Sequence, residues 1–128
     1  FPDAYNLFIE SWNSGTIEFV EEFKILLLNR SNSVLGILDI SKGGISGTVI
    51  DVRLIFQAAI KANVSGIIDA IMQRCHNHPS GNLNPSESDT KLTHKIKDAG
   101  LLLDVQLPDH LIIISDVGYY SFADNGLL

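Results

Sequence analysis

Hydrophobic positions along this chain switch between helical and strand-like spacing, and the switches mark out a small mixed domain. Near the start, Leu7, Phe8 and Trp12 fall on one side of a helix over residues 3–12, with Asp3 suited to its N-cap. Phe23 to Leu28 and Val34 to Ile40 are apolar runs of strand length. The intervening Asn29-Arg30-Ser31-Asn32-Ser33 is turn chemistry throughout, so the two runs predict a hairpin. Ser41 to Gly47, with three glycines, predicts a loop. A helix capped by Asp51 follows, carrying Leu54, Ile55, Ala58, Ala59 and Ala62 inward. Val64 to Ile68 has the pattern of a buried strand, and His76 to Ser86 that of a loop broken by two prolines and a glycine. Glu87 to Ala99 repeats apolar residues at Leu92, Ile96 and Ala99, and Gly100 is the expected stop. Strand pattern resumes at Gln106, runs through Leu111 to Ser115, turns at Asp116-Val117-Gly118 and closes at Tyr119 to Phe122. Interspersed helices and strands with hairpin connections predict an α/β chain of the α+β type, a mixed sheet flanked by helices.

The chain has 128 residues, of which 45% are hydrophobic and 19% charged, enough apolar material for one core and the usual size of one domain. The expected organisation is a single domain over 1–128, with an N-terminal helix and lead-in over 1–19 and a core over 20–128. Because it opens Phe1-Pro2-Asp3 without methionine, it reads as a fragment whose missing part carried targeting or binding. A net charge of −6 gives no general attraction to phosphates, so DNA binding by this domain alone is not expected to exceed non-specific affinity. A single cysteine, Cys75, excludes an intrachain disulfide and a Cys-rich zinc site, and favours a reducing, cytoplasmic setting. The apolar runs are too short to span a bilayer, so no membrane association is expected.

The informative stretch is His76-Asn77-His78-Pro79-Ser80-Gly81, followed by Ser86-Glu87-Ser88-Asp89. Two histidines at i and i+2 in extended chain point to one side and can meet one ion. A carboxylate from the start of the next helix, Asp89, completes three ligands and leaves an open position for water, the arrangement of a catalytic zinc site. Ser86 is close enough in sequence to donate a hydrogen bond to an oxyanion. The plainer account is that Ser86-x-x-Asp89 is a capping box, in which Ser86 accepts from a backbone N–H and the acid reaches back. Asp89 is not expected to cap and ligate at once.

HNHPSG followed by PSESD resembles the RadC family, a branch of the JAB/MPN metalloproteins whose JAMM signature is a distant Glu, then His-x-His, then about seven residues to Ser-x-x-Asp. Seven residues separate His78 from Ser86 here. The likeness extends through EEFKILLLNR, SKGGISGT, the helix from Asp51 and DHLIII, from about residue 20 onward. It implies a JAB/MPN (cytidine-deaminase-like) architecture, one zinc ion per chain on His76, His78 and Asp89, and Ser86 as the donor to the tetrahedral intermediate. It also implies a base at the distant Glu, which falls on Glu22. Glu21 is its neighbour, and only one of the two can face the metal, since adjacent strand residues point oppositely. The implied activity is hydrolysis of a peptide or isopeptide bond in a peptide or protein substrate. The alternative is a non-catalytic accessory module in DNA repair or mobile-element biology, in keeping with the "DNA repair protein" label given to RadC-like proteins. A zinc nucleobase deaminase, of similar fold, requires a Pro-Cys-x-x-Cys segment that one cysteine cannot supply.

Two features depart from the family pattern. A short apolar strand usually runs straight into HNHPSG, but here Gly66-Ile67-Ile68 is followed by Asp69 to Cys75, about five extra residues. They are expected to be expelled as a bulge or loop, with Gln73 and Arg74 in solvent, because burying an unpaired Arg74 would be costly. Pro108 stands where an apolar residue is typical and removes one ladder donor. Elsewhere, a thiol dyad of Cys75 with His76 is disfavoured by divergent neighbours, and Gly43 to Thr48 lacks the ending of a phosphate loop. His110 is expected to be a hydrogen-bonded structural histidine, and His94 a solvated one.

Overall fold

The computed structural model describes residues 2–12, 21–43, 50–73 and 83–128. Its elements are α1 (Pro2–Ser11), β1 (Glu21–Leu28), β2 (Val34–Gly43), α2 (Val52–Lys61), β3 (Gly66–Gln73), α3 (Glu87–Leu103), β4 (Gln106–Ile114) and β5 (Gly118–Ser121). The strands form one sheet in the order β2-β1-β3-β4-β5, antiparallel except for the parallel pair β3–β4. The expected α+β architecture, a mixed sheet with helices on it, is the one observed. No helix among the described residues is long and apolar enough to cross a membrane.

Period-two alternation in β1 and β3 sorts the helices onto opposite faces. Phe23, Ile25 and Leu27 of β1, with Ile67 and Ile71 of β3, pack against Ile55, Phe56 and Ala59 of α2 and Ile96 of α3. Leu26, Leu28, Ile68, Ala70 and Met72 turn the other way, onto Ala4 and Phe8 of α1. Asp51 caps α2 by accepting from the Arg53 backbone N–H, and the Arg53 side chain, hydrogen-bonded to it, holds its carboxyl below the usual carboxylate range.

The structure corrects four of the sequence expectations. Leu54 and Ala62 are exposed, because α2 buries the narrower stripe Val52, Ile55, Phe56 and Ala59. β2 runs three residues past Ile40, taking in Ser41 to Gly43. α3 passes through Gly100 and ends at Asp104 in the left-handed conformation. Gly100 is there for close approach: a Cβ on it would collide with the Val105 carbonyl oxygen, and the Val105 N–H bonds back to Gly100 O at 2.9 Å. The fourth correction concerns β3. The extra stretch is not expelled, since Asp69 to Gln73 continue the strand, pairing with β1 in unbroken register from Gly66 to Met72. Gln73 is part-buried and bonded rather than free in solvent. Arg74 and Cys75 lie outside the described residues. The one register shift in the β3–β4 ladder falls between Gly66 and Ile68, opposite the segment holding Pro108, where a missing N–H does least harm.

Candidate metal centre

Among the predicted site residues, Ser86, Asp89 and Glu22 are described, while His76 and His78 lie outside the described residues. Ser86 is the N-cap of α3 and forms the capping box in full. Its Oγ accepts from the Asp89 backbone N–H at 3.1 Å, and Asp89 Oδ2 accepts from the Ser86 N–H at 3.0 Å. The cap engages one carboxylate oxygen and leaves Asp89 Oδ1 without a hydrogen bond among the described residues. The expectation that capping excludes ligation is therefore too strict. The Ser86 hydroxyl, accepting at its oxygen, still has its own hydrogen to give. Because Ser86 satisfies an otherwise orphan helix donor, Ser86→Ala is expected to lower stability by about 1 kcal/mol and Ser86→Gly by only a few tenths, read from urea unfolding.

The two candidate bases lie on opposite faces. Glu22 is sealed against the α1 side, 1% exposed, cross-strand from Met72 and with its Oε2 3.8 Å from Lys24 Nζ. Lys24 in turn donates to the Ser11 carbonyl at the end of α1, at 2.9 Å. Glu21 shares the face of Phe23, the one covered by α2 and α3, and its Oε2 accepts from Gln73 Nε2 at 2.6 Å. The preference for Glu22 thus meets a geometric objection: its carboxylate faces away from the helix that carries Ser86 and Asp89. Alternation along β1 was legible in the sequence, but which face would receive the site helix was not.

The start of α3 lies at the same end of the sheet as Glu21 and Gln73. Ile71 and Gln73 pair with Ile112 and Ile114 of β4. Leu83, a few residues before the cap, packs on Ile112 and Ile114. A groove of about 440 Å³, lined by Asn29, Arg30, Ser65, Asp104 and Gln106 among others, opens at the far end of the sheet and has no part in this constellation.

The donor set agrees in part with a divalent cation. A carboxylate oxygen of Asp89 and a hydroxyl of Ser86 are available, and a second carboxylate, Glu21, shares the face. Yet among the described residues no three His, Cys, Asp or Glu side chains converge on one point. The α3-facing positions of β3 next to Glu21 carry Ile71 and Gln73, neither of them a usual ligand for zinc. His110, a histidine the motif does not include, is fully buried and bonded through Nδ1 to Asp69 Oδ1, with its ring edge-on to Phe122. It is structural, as expected. Exposed His94 has its Nε2 3.2 Å from the Leu127 carbonyl.

The chain is similar to proteins whose names record little of their chemistry. It is 51% identical over 107 residues to a UPF0758 protein of Flavobacterium johnsoniae, an alignment covering 84% of this chain and 44% of that protein. It is 48% identical over 108 residues to one of Porphyromonas gingivalis, covering 84% and 45%. A UPF0758 protein of Chlorobium chlorochromatii is 40% identical over 117 residues, covering 90% and 50%. The chain thus spans half or less of the length of these relatives. The family model described as RadC-like JAB domain matches residues 2–127, and with the mixed sheet and the Ser86–Asp89 cap that settles the relationship: the chain belongs to the RadC-like JAB domain family.

Proposed function

We propose that this domain is a metal-dependent hydrolase of the JAB type, acting on a peptide or isopeptide bond, with one divalent cation, zinc foremost, held by His76, His78 and Asp89. The observation that carries the proposal is the grouping of Ser86, Asp89 and Glu21 at one end and on one face of the sheet. A cation held there would supply a water that ionises near neutrality. Glu21, rather than Glu22, takes the proton, since its carboxylate stands on the face that α3 covers. The Gln73 amide fixes one of its oxygens. Ser86 donates its hydroxyl hydrogen to the oxyanion that develops on the attacked carbonyl, a contact made only as charge appears there. A cytoplasmic setting accords with the single cysteine.

The test is a zinc titration of the purified chain against a chromophoric chelator. At saturation about one zinc per chain is expected, as three protein ligands and a water fill a tetrahedral shell. His76→Ala with His78→Ala should weaken binding at least about ten-fold, the lower end of what even an outer-shell change does to metal affinity. Unchanged affinity in that double variant would remove the ligand assignment.

A further inference from the structure

β2 forms one edge of the sheet, and among the described residues no strand lies beyond it. The opposite edge, β5, has four residues and offers little to pair with, whereas β2 has ten. The hydrogen-bonding direction of this edge follows from its neighbour. The Asn29 N–H donates to the Ser33 carbonyl, towards β2, and the Leu28 carbonyl accepts from the Ser65 N–H, towards β3. Odd-numbered residues of β1 therefore aim their main chain at β2. Leu27 and Ile25 stand opposite Gly36 and Leu38, which return those bonds. Ile37 and Asp39 alternate with them and aim their N–H and C=O groups away from the sheet. Register shifts on either side confine this regular edge to residues 36–39.

The side chains along the edge are equally open. Val34, Leu35 and Leu38 are exposed. On the α1 face, Leu7, Leu26, Leu35 and Ile37 help to line a pocket of about 250 Å³ beside the strand. Ser11, one turn beyond Leu7, meets Lys24, and so does Asp39, so α1 runs along β2 from the pocket towards Asp39. Exposed Glu10 stands at that end of the helix, and the Asp39 side chain is half exposed. Two cations in the region are turned elsewhere: Lys24 is buried against Ser11 and Asp39, and Arg30 lines the groove at the far end of the sheet. Along its length the edge offers an apolar socket and then an acidic end.

We propose that β2 docks an extended peptide segment of a partner protein as a sixth strand, antiparallel to β2 and selected by a Lys or Arg two residues before a large apolar residue. Ile37 and Asp39 each exchange main-chain hydrogen bonds with it in both directions. Residues directly opposite one another share a face, so the side chain opposite Ile37 enters the pocket. The residue opposite Asp39 comes two positions earlier in an antiparallel partner, and there a cation meets Asp39 and Glu10. The reverse order suits a parallel strand, the less stable pairing. A second copy of this chain is a poorer occupant. It carries a net charge of −6, and two-fold pairing of β2 would bring Glu10 and Asp39 of both copies together on one face. No proposed metal ligand takes part, so this proposal and the functional one stand or fall separately.

The test is an NMR titration of the ¹⁵N-labelled chain with the capped peptide Thr-Thr-Lys-Thr-Leu-Thr-Thr. Two controls accompany it, one with Lys and Leu exchanged and one with Glu in place of Lys. The first peptide should slow hydrogen exchange at the Ile37 and Asp39 amides and leave Gly36 and Leu38, already bonded to β1, unchanged. It should bind more tightly than either control. Leu35→Lys should weaken it by about ten-fold, the low end of what burying one leucine-sized side chain is worth. Glu10→Lys should weaken the Lys peptide and strengthen the Glu peptide, each by about five-fold, as opposite and like charges change places. Both substituted side chains are exposed, and an otherwise unshifted spectrum establishes that the variants fold. No binding, binding without protection at Ile37 and Asp39, or equal affinity for the three peptides would overturn the proposal. A dimeric chain that Leu35→Lys turns into a monomer, with no peptide bound by either, would overturn it in favour of a second copy.

Discussion

Replacing His110 by leucine is expected to lower the unfolding free energy by about 3–5 kcal/mol, a large share of the 5–15 kcal/mol typical of a domain this size. His110 and Asp69 are both fully buried on the face shared with Phe23, bonded Nδ1 to Oδ1 across the parallel β3–β4 pair. The pair is only partly satisfied: Asp69 Oδ2 and His110 Nε2 have no hydrogen-bond partner among the described residues. Neighbouring Asp109 takes no share in it, being engaged by Ser121 Oγ and by the backbone N–H groups of His110 and Ala123. Removing the imidazole leaves a carboxyl in a hydrocarbon setting with nothing to hydrogen-bond, which is where the large penalty arises. Leucine at both positions removes the polar groups together, and it should restore most of the loss or exceed the starting stability. Urea midpoints at pH 7 for the single and double variants decide it. A His110→Leu chain within about 1 kcal/mol of the unchanged one, the ordinary net worth of a hydrogen bond, would show that the pair is not the buried liability its geometry indicates.

That same pair explains where the sequence misleads. β1, the hairpin, the Asp51 cap and the apolar core of β4 are set by local pattern and are legible from it. β3 is not, because Asp69 and Gln73 look like the end of a strand until their partners are known. Those partners, His110 and Glu21, stand 41 and 52 residues away. Polar residues inside a strand are tolerated once a distant side chain receives them, and periodicity carries no information about that. Gly100 misleads for a related reason. A glycine after a helical run suggests a stop, whereas here it lets the Val105 carbonyl pass close to α3 while the helix continues. The site divides the same way. Ser86 and Asp89 are three residues apart, so their cap is a local matter and readable. The choice between Glu21 and Glu22 depends on which face of the sheet receives α3, and that is settled by packing far from either residue.

Replacing Lys24 by methionine should also remove about 3–5 kcal/mol of stability, and it tests the structural standing of Glu22. Lys24 is nearly buried on the α1 face, where its ammonium meets the Ser11 carbonyl at 2.9 Å, Ser11 Oγ at 3.2 Å and Asp39 Oδ1 at 3.1 Å. It therefore satisfies a carbonyl at the C-terminus of α1, the favourable end for a cation, and joins that helix to the sheet. Glu22 lies beside it, with neither carboxylate oxygen hydrogen-bonded among the described residues, and Lys24 at 3.8 Å is a positive charge that makes this buried acid tolerable. Methionine preserves most of the apolar stem and withdraws the charge. Glu22 then has no counter-ion among the described residues, and the end of α1 loses its anchor. Adding Glu22→Gln to Lys24→Met removes the stranded charge and should recover part of the loss, whereas adding Glu21→Gln should recover none, because that carboxylate lies on the opposite face beside Gln73. Additivity between Lys24→Met and Glu22→Gln in a double-mutant cycle would mean the two are uncoupled and that Lys24 is not what holds the Glu22 carboxylate.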